Sequence, residues 1–415
     1  MSQYKSDLLR LLDERGYIHQ LTDAEGLDAL AQRQVVPGYI GFDATAPSLH
    51  VGSMVQIMLL RRLQQTGHKP VVLMGGGTTR IGDPTGRDES RKMLSNETID
   101  ANIASIRTVF ERFLTFAPEG EMGGPTDAVM VNNHDWLGQL GYIELLQEVG
   151  THFTINRMLT FDSVRLRLDR EQPMTFLEFN YMILQGYDFR HLAKNMGVRL
   201  QMGGSDQWGN IVNGVELTRR MDGVEVFGVT TPLLTTADGA KMGKTAAGAV
   251  WLNDEQLPSY DFWQYWRNVD DRDVGKFLRL FTDLSLDEVA RLEALQGAEI
   301  NQAKVVLANE ITGLVRGGEA ARAAEATAAA TFAGGGLGED LPVLEVSSEG
   351  IRLGAACTAV GFTASNGEAK RKIAEGAVRI DDGPVTDPAF LVEVAPGQER
   401  KLSLGRKRHA ILRGS

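Results

Sequence analysis

The string Lys241-Met242-Gly243-Lys244-Thr245 sets two ammonium groups in a short glycine-bearing stretch, and such groups can neutralise charge that grows on a departing phosphate. A solvated loop can contain the same residues, so the string takes its meaning from its company. Upstream, Ser48-Leu49-His50-Val51-Gly52-Ser53 puts an imidazole and a side-chain-free glycine at what reads as the first turn of a helix, where backbone N–H groups meet phosphate. Between them, Gly203-Gly204-Ser205-Asp206-Gln207-Trp208-Gly209-Asn210 opens with a glycine pair and follows with a carboxylate. Bare backbone can approach a sugar closely there, and Asp206 can accept from its hydroxyl. A further constellation is polar in an apolar setting: Tyr181, Gln185 and Asp188 stand at i, i+4 and i+7, on one helix face beside Met182, Ile183 and Leu184. A buried phenol, amide and carboxylate are costly unless something pairs with them. In Ile81-Gly82-Asp83-Pro84-Thr85-Gly86-Arg87, Asp83 suits an ammonium group, although a plain surface turn has the same composition.

These groups need a scaffold, and the first half of the chain alternates short apolar runs with amphipathic stretches, the pattern of an α/β fold with a parallel sheet wrapped by helices. Gly38 to Phe42 and Val71 to Met74 are the clearest strands. Between them, His50 to Gln65 carries Val51, Met54, Val55, Met58 and Leu59 at helical spacing, with Ser48 the expected N-cap. Ligands in such folds settle beyond the carboxyl ends of the strands, where His50 and the Gly75-Gly76-Gly77 turn would lie. From Pro258 to about Ala333 the pattern is helical, with Phe262, Trp263, Tyr265 and Trp266 as anchors. A glycine run, Gly334 to Gly336 and Gly338, then frees the chain. In the last segment Ala364 to Gly376 reads as a helix bearing Lys370, Arg371 and Lys372, followed by a strand from Ala377 that turns at Asp382-Gly383.

With Gly41-Phe42-Asp43-Ala44-Thr45 ahead of His50, the three strings resemble the signature motifs of class I aminoacyl-tRNA synthetases, and the residues between them resemble the tyrosine-specific branch. The resemblance runs over essentially the whole chain. It implies a Rossmann-like catalytic domain over 1–240, a lysine loop and α-helical anticodon-binding domain over 241–333, a linker over 334–348, and a small α+β module over 349–415 similar to S4 RNA-binding domains. It also implies roles. Asp43, His50, Gly52, Gly204, Asp206, Lys241 and Lys244 bind ATP, with Thr45, His50, Lys241 and Lys244 serving the transition state. Tyr39 and Asp188 hold a tyrosine hydroxyl, Asp83, Tyr181 and Gln185 its amino group, and Gln201 and Gln207 lie near that substrate. Arg87 and Arg91 stand where relatives carry basic residues that serve pyrophosphate, and Lys370, Arg371 and Lys372 would face RNA. Two departures are visible: Ser53 stands where the pattern usually has a second histidine or an asparagine, and Gly243 replaces a serine. The implied reaction joins L-tyrosine to tRNA(Tyr) through tyrosyl-adenylate, using ATP with Mg²⁺ and no protein-bound metal, in a homodimer.

Composition is compatible with that expectation. At 415 residues two or three domains are expected, and 43% hydrophobic with 23% charged residues is ordinary for a globular protein. No apolar run approaches the ~20 residues of a membrane span, and Met1 to Arg15 reads as an amphipathic helix rather than a signal peptide, so a cytoplasmic protein without membrane contact is expected. The single Cys357 cannot form an internal disulfide and reads as a buried small hydrophobe. A net charge of −11 argues against general coating of nucleic acid, yet Ile351 to Ser415 holds eleven Lys and Arg against seven Asp and Glu. Two other readings stay open here: a tryptophan ligase on the same architecture, and a catalytically silent RNA-binding protein.

Overall fold

The computed structural model describes residues 2–84, 94–118, 121, 123–239, 242–245, 248–334, 341–405 and 408–415. The chain divides into two compact units, one of residues 1–235 with 279–281 and one of 236–278 with 282–415. Among the sequence-derived candidates, Lys241, Arg87 and Arg91 lie outside the described residues, as does the centre of the glycine run.

The first unit is built on a six-stranded sheet of β1 (Gln20–Leu21), β2 (Pro37–Phe42), β3 (Lys69–Met74), β4 (Val129–Asn132), β5 (Leu200–Gly204) and β6 (Phe227–Thr231), ordered β1-β6-β5-β2-β3-β4. Only β1 runs antiparallel to its neighbour. Strand β3 is buried at all but its first residue, which is why Val71 to Met74 reads as a continuous apolar run rather than an alternating one, and β5 is buried throughout although it carries Gln201. The chain lays β3 and β4 on one side of β2, then returns to place β5 and β6 on the other. That reversal opens a crevice at the carboxyl ends of β2 and β5.

Local capping decides how two site helices begin. The expected N-cap at Ser48 is not the one used: a 3-10 turn, Val51–Ser53, precedes the helix Met54–Gln65, and His50 caps that turn by accepting from Gly52 N–H through Nδ1 at 3.0 Å. Ser48 lies too far upstream of the first free N–H, and its buried hydroxyl donates to Leu49 O instead. The longest site helix, Phe176–Met196, starts with a capping box between Thr175 and Glu178 and stops at Gly197, whose φ of 66° is left-handed. Glu178 also accepts from the buried Arg167 at 3.0 Å, so the acid is charge-paired as well as capping. This helix packs on Trp208–Asp222 at a glycine: a Cβ on Gly214 would come within 2.9 Å of Phe189 Cβ. A bidentate Arg190–Asp222 pair, 2.6 and 3.0 Å, ties the same two helices.

The second unit holds helices Ser259–Arg267, Leu286–Glu293, Ile300–Arg316 and Gly318–Gly334, with Phe262, Trp263 and Trp266 buried as anchors and Tyr265 only partly covered. Its other part is a five-stranded sheet, in the order Gly383–Pro384, Val378–Ile380, Glu399–Leu404, Arg408–Gly414, Val343–Val346. The strand Val343–Val346 falls within the stretch read as linker and pairs in parallel with Arg408–Gly414. Cys357 is fully buried in the core of this part with Leu353, Ile373, Val378 and Leu402, and burial pushes its thiol up to about 11. Asp381 and Asp382 take φ of 49° and 66°, the left-handed pair that a two-residue hairpin turn demands.

Candidate active site

Four strand ends and two helices of the first unit supply the site. Asp43 to Thr45 follow β2, the turn 75–78 follows β3, Asn133 follows β4, Gly204 closes β5, and Asp206 and Gln207 lead into the helix Trp208–Asp222. Close backbone approach at the turn is enforced by composition: a Cβ on Gly75 would meet Thr78 Oγ1 at 2.5 Å and Asp43 Oδ1 at 2.6 Å. At Gly204 a Cβ would stand 2.6 Å from Asp206 Oδ1.

Asp188 is 2% exposed. Its Oδ2 accepts from Asn133 Nδ2 at 2.9 Å and its Oδ1 from Trp136 Nε1 at 2.8 Å. Burial is the main influence on this carboxyl and raises it to about 7; the two donors pull it down and the Asp43 charge pushes it further up. Tyr39, on β2, is 1% exposed, and its hydroxyl has no hydrogen-bond partner among the described residues. Burial and the nearby Asp188 charge hold that phenol well above its ordinary range, so it is a neutral donor waiting for an acceptor.

The amides form a second group. Gln207 Nε2 donates to Asp83 Oδ2 at 3.0 Å, while Gln207 Oε1 accepts from Asn210 at 3.0 Å and from Gln185 at 3.4 Å. Among the described residues, Gln185 Oε1 and Gln201 Oε1 are buried without hydrogen-bond partners, and Gln201 is the register neighbour of Tyr39 across β2 and β5. Buried polar atoms left open in this way suit a ligand carrying complementary donors. Tyr181 is buried on the same helix as Gln185 and Asp188.

A chain of hydrogen bonds joins this pocket to the residues that follow β2. Thr78 Oγ1 donates to Asp43 Oδ1 at 3.2 Å and accepts from Asn133 Nδ2 at 3.1 Å, which also serves Asp188. Ala44 is clamped by Thr79 Oγ1, which accepts its N–H at 2.9 Å, and by Asn102 Nδ2, which donates to its carbonyl at 2.9 Å. That clamp sets the backbone between Asp43 and the exposed Thr45. His50 and Gly52 are half-buried and Asp206 is exposed.

In the second unit, Lys244 lies in a two-residue strand, Lys244–Thr245, paired with Gly248–Ala249. Gly243 and Gly248 have φ of 96° and 117°, so Gly243 is demanded by the backbone, beyond any looseness that it brings. Lys370 and Arg371 are exposed on the helix Asn366–Ala374, and Lys372 is half-buried and paired with Glu375 at 2.9 Å.

Sequence reasoning missed Asn133, Trp136, Thr78 and Asn102. A signal existed for the first: Asn132-Asn133 follows the apolar run Val129 to Val131, placing amides at a strand's carboxyl end.

Residues 32–333 match the family model of tRNA synthetases class I (W and Y). The tyrosine–tRNA ligase of Novosphingobium aromaticivorans is 71% identical over 413 residues, spanning 100% of both chains. That of Rhodospirillum rubrum is 62% identical over 419 residues, covering 100% of this chain and 99% of the relative. Among solved structures, a C-terminally truncated mitochondrial tyrosyl-tRNA synthetase of Aspergillus nidulans superposes with a TM-score of 0.70 at 29% identity, over 79% of this chain and 95% of that one. Its counterpart from Coccidioides posadasii gives 0.66 at 33% identity, over 77% and 91%.

Proposed function

We propose, for a chain that belongs to the class I tRNA synthetases (W and Y), the activity of a tyrosine–tRNA ligase. It activates L-tyrosine with ATP and transfers the tyrosyl group to the 3′ end of tRNA(Tyr). The observation that carries this reading is the buried Asp188, aimed by two donors, beside a buried Tyr39 hydroxyl with no hydrogen-bond partner among the described residues. A phenol can donate to the first and accept from the second, whereas an indole offers neither oxygen nor the same reach. Tyrosine-dependent ATP–pyrophosphate exchange, with tryptophan as the control, is the test; exchange with tryptophan alone would overturn the assignment.

The residues divide the work by charge. Asp83, Tyr181 and Gln185 hold the α-amino group, with Gln201 and Gln207 closing the pocket. Gly204 and Asp206 take the ribose, and Asp43, Thr45, His50 and Gly52 the nucleotide, which arrives as its Mg²⁺ complex. The tyrosine carboxylate then attacks the α-phosphorus, forming a carboxyl O–P bond as the bond to pyrophosphate breaks. Lys241 and Lys244 neutralise the charge that builds on that leaving group. The terminal ribose hydroxyl of tRNA next attacks the adenylate carbonyl and expels AMP. No side chain forms a covalent bond, so positioning and electrostatics supply the acceleration.

A pH dependence follows from the carboxyl at about 7. Between roughly pH 4 and 7 the folded, unliganded protein keeps a proton that the unfolded chain has released, so this group's contribution to stability declines as pH rises through that window. A substrate phenol donates to the ionised form, and below pH 7 binding must first displace the proton. Tyrosine affinity is therefore expected to fall about tenfold per pH unit below 7 and to level off above it. Equilibrium dialysis from pH 5.5 to 8 checks this, and Asp188→Asn should flatten the profile.

The C-terminal segment is proposed as an S4-like RNA-binding module, separate in role from the helical part at 241–333, with Lys370, Arg371 and Lys372 toward RNA phosphates. Deletion after Ala333 is expected to leave adenylate formation intact while tRNA charging falls at least tenfold. Equal charging by the truncated protein would refute that role. A homodimer is proposed through the stretch 142–177, where Ile143, Ile155, Leu168 and Phe176 are 64%, 60%, 51% and 67% exposed and could be covered by a second copy. Among the described residues no helix is long and apolar enough to cross a membrane. The buried free thiol of Cys357 fits a cytoplasmic enzyme.

A further inference from the structure

The selectivity of the proposed pocket depends on how firmly Asp188 is aimed, and its two donors are anchored differently. Asn133 is locked on several sides: its Oδ1 accepts from Gly77 N–H at 2.7 Å while its Nδ2 also reaches Thr78 Oγ1. Among the described residues the Trp136 side chain makes a single hydrogen bond, from Nε1 to Asp188, and the residue sits on a four-residue helix, His134–Leu137. Its side packs beside the cluster of Tyr39, Leu73 and Phe189, but apolar packing leaves the direction of an N–H loosely determined. The imidazole of His191 covers the indole face, with ring centroids 4.3 Å apart and planes 12° from parallel. His191 is three residues beyond Asp188 on Phe176–Met196, so one helix carries both the acceptor and the ring that braces its donor.

We infer that His191 is a positioning residue for amino-acid selection: stacked on Trp136, it holds the indole N–H on Asp188 and thereby keeps the carboxylate turned toward the substrate hydroxyl. This rests on the tyrosine reading and deepens it. The surroundings are consistent with a neutral imidazole, whose stacking leaves no charge to desolvate. Burial first, and then the Arg190 charge, hold His191 below its ordinary range, while Arg190 itself is engaged by Asp222. Tyr187, 6.3 Å from His191 between centroids, is the other titratable ring beside it; Asp43 is the charge that acts on Asp188, and Asp188 in turn acts on Tyr39.

The test compares kcat/KM for tyrosine and phenylalanine in ATP–pyrophosphate exchange by the full-length chain. His191→Leu keeps bulk and removes the aromatic face; the tyrosine-over-phenylalanine ratio should fall about threefold to tenfold, chiefly through a higher KM for tyrosine. His191→Phe restores a stacking ring and should return the ratio to within about twofold of the unmutated protein. In a Trp136→Phe background, which has no indole N–H to aim, His191→Leu should change the ratio no further. An unchanged ratio in His191→Leu, failure of His191→Phe to restore it, or an undiminished effect in the Trp136→Phe background overturns the inference. Absence of tyrosine-dependent exchange in the unmutated protein is a different failure, since it removes the tyrosine assignment itself.

Discussion

Replacing Asp188 by alanine is expected to collapse the preference for tyrosine over phenylalanine by at least about a hundredfold. For scale, tyrosyl-tRNA synthetase discriminates against phenylalanine by ~10⁵. The reason for the collapse lies in who is left unpaired. In the intact pocket phenylalanine would bury the Asp188 carboxylate and the Tyr39 hydroxyl without their partner, and that desolvation penalty is what rejects it. Alanine abolishes most of the penalty and also deletes the acceptor for the tyrosine hydroxyl. The two values of kcat/KM therefore converge from both directions, tyrosine falling and phenylalanine rising relative to it. Asn133 and Trp136 lose their shared acceptor as well, and water entering the space left by the carboxyl can serve them. Steady-state pyrophosphate exchange with each amino acid reads the ratio. Survival of the original preference would mean that the hydroxyl is recognised elsewhere.

Lys244→Ala is expected to slow single-turnover adenylate formation by roughly 10²–10³ while tyrosine Kd stays within about twofold. An ammonium group that meets only the charge growing on pyrophosphate is absent from the ground-state amino-acid complex, so its loss raises the barrier without loosening tyrosine. The backbone around it is suited to a defined turn. Val250 N–H donates to Gly243 O at 3.2 Å, the short pairing Lys244–Thr245 with Gly248–Ala249 closes a hairpin, and Met242 is 2% exposed at its base. Gly243→Ser would restore the residue usual in the family string but would have to adopt a φ of 96°. Rapid-quench measurement of adenylate, alongside tyrosine binding by dialysis, separates the two quantities. An unaltered single-turnover rate would exclude Lys244 from the step.

Both predictions depend on features of unequal visibility in the sequence. The polar face of Tyr181, Gln185 and Asp188 was legible because the 3.6-residue period is a local property that needs no tertiary partner. The strands ending at Phe42 and Met74 were legible from equally local apolar runs, and a turn after the strand from Ala377 was legible too, although it falls on Asp381-Asp382, one residue before the expected Asp382-Gly383. Capping was only half legible. Ser48 has the better capping chemistry, yet the turn starts at Val51, and geometry gave the task to His50.

By itself, then, the sequence determined which chemical groups the chain carries, the elements they ride on and the turns between those elements, since each follows from interactions among residues a few positions apart. Tertiary structure alone decided that β5 returns beside β2, so that Gln201 meets Tyr39, and that donors 55 and 52 residues away close on Asp188. It also decided that Asp188 is dry enough to titrate near 7. Solvent exclusion is a property of everything packed around a group, and no local period or motif encodes it.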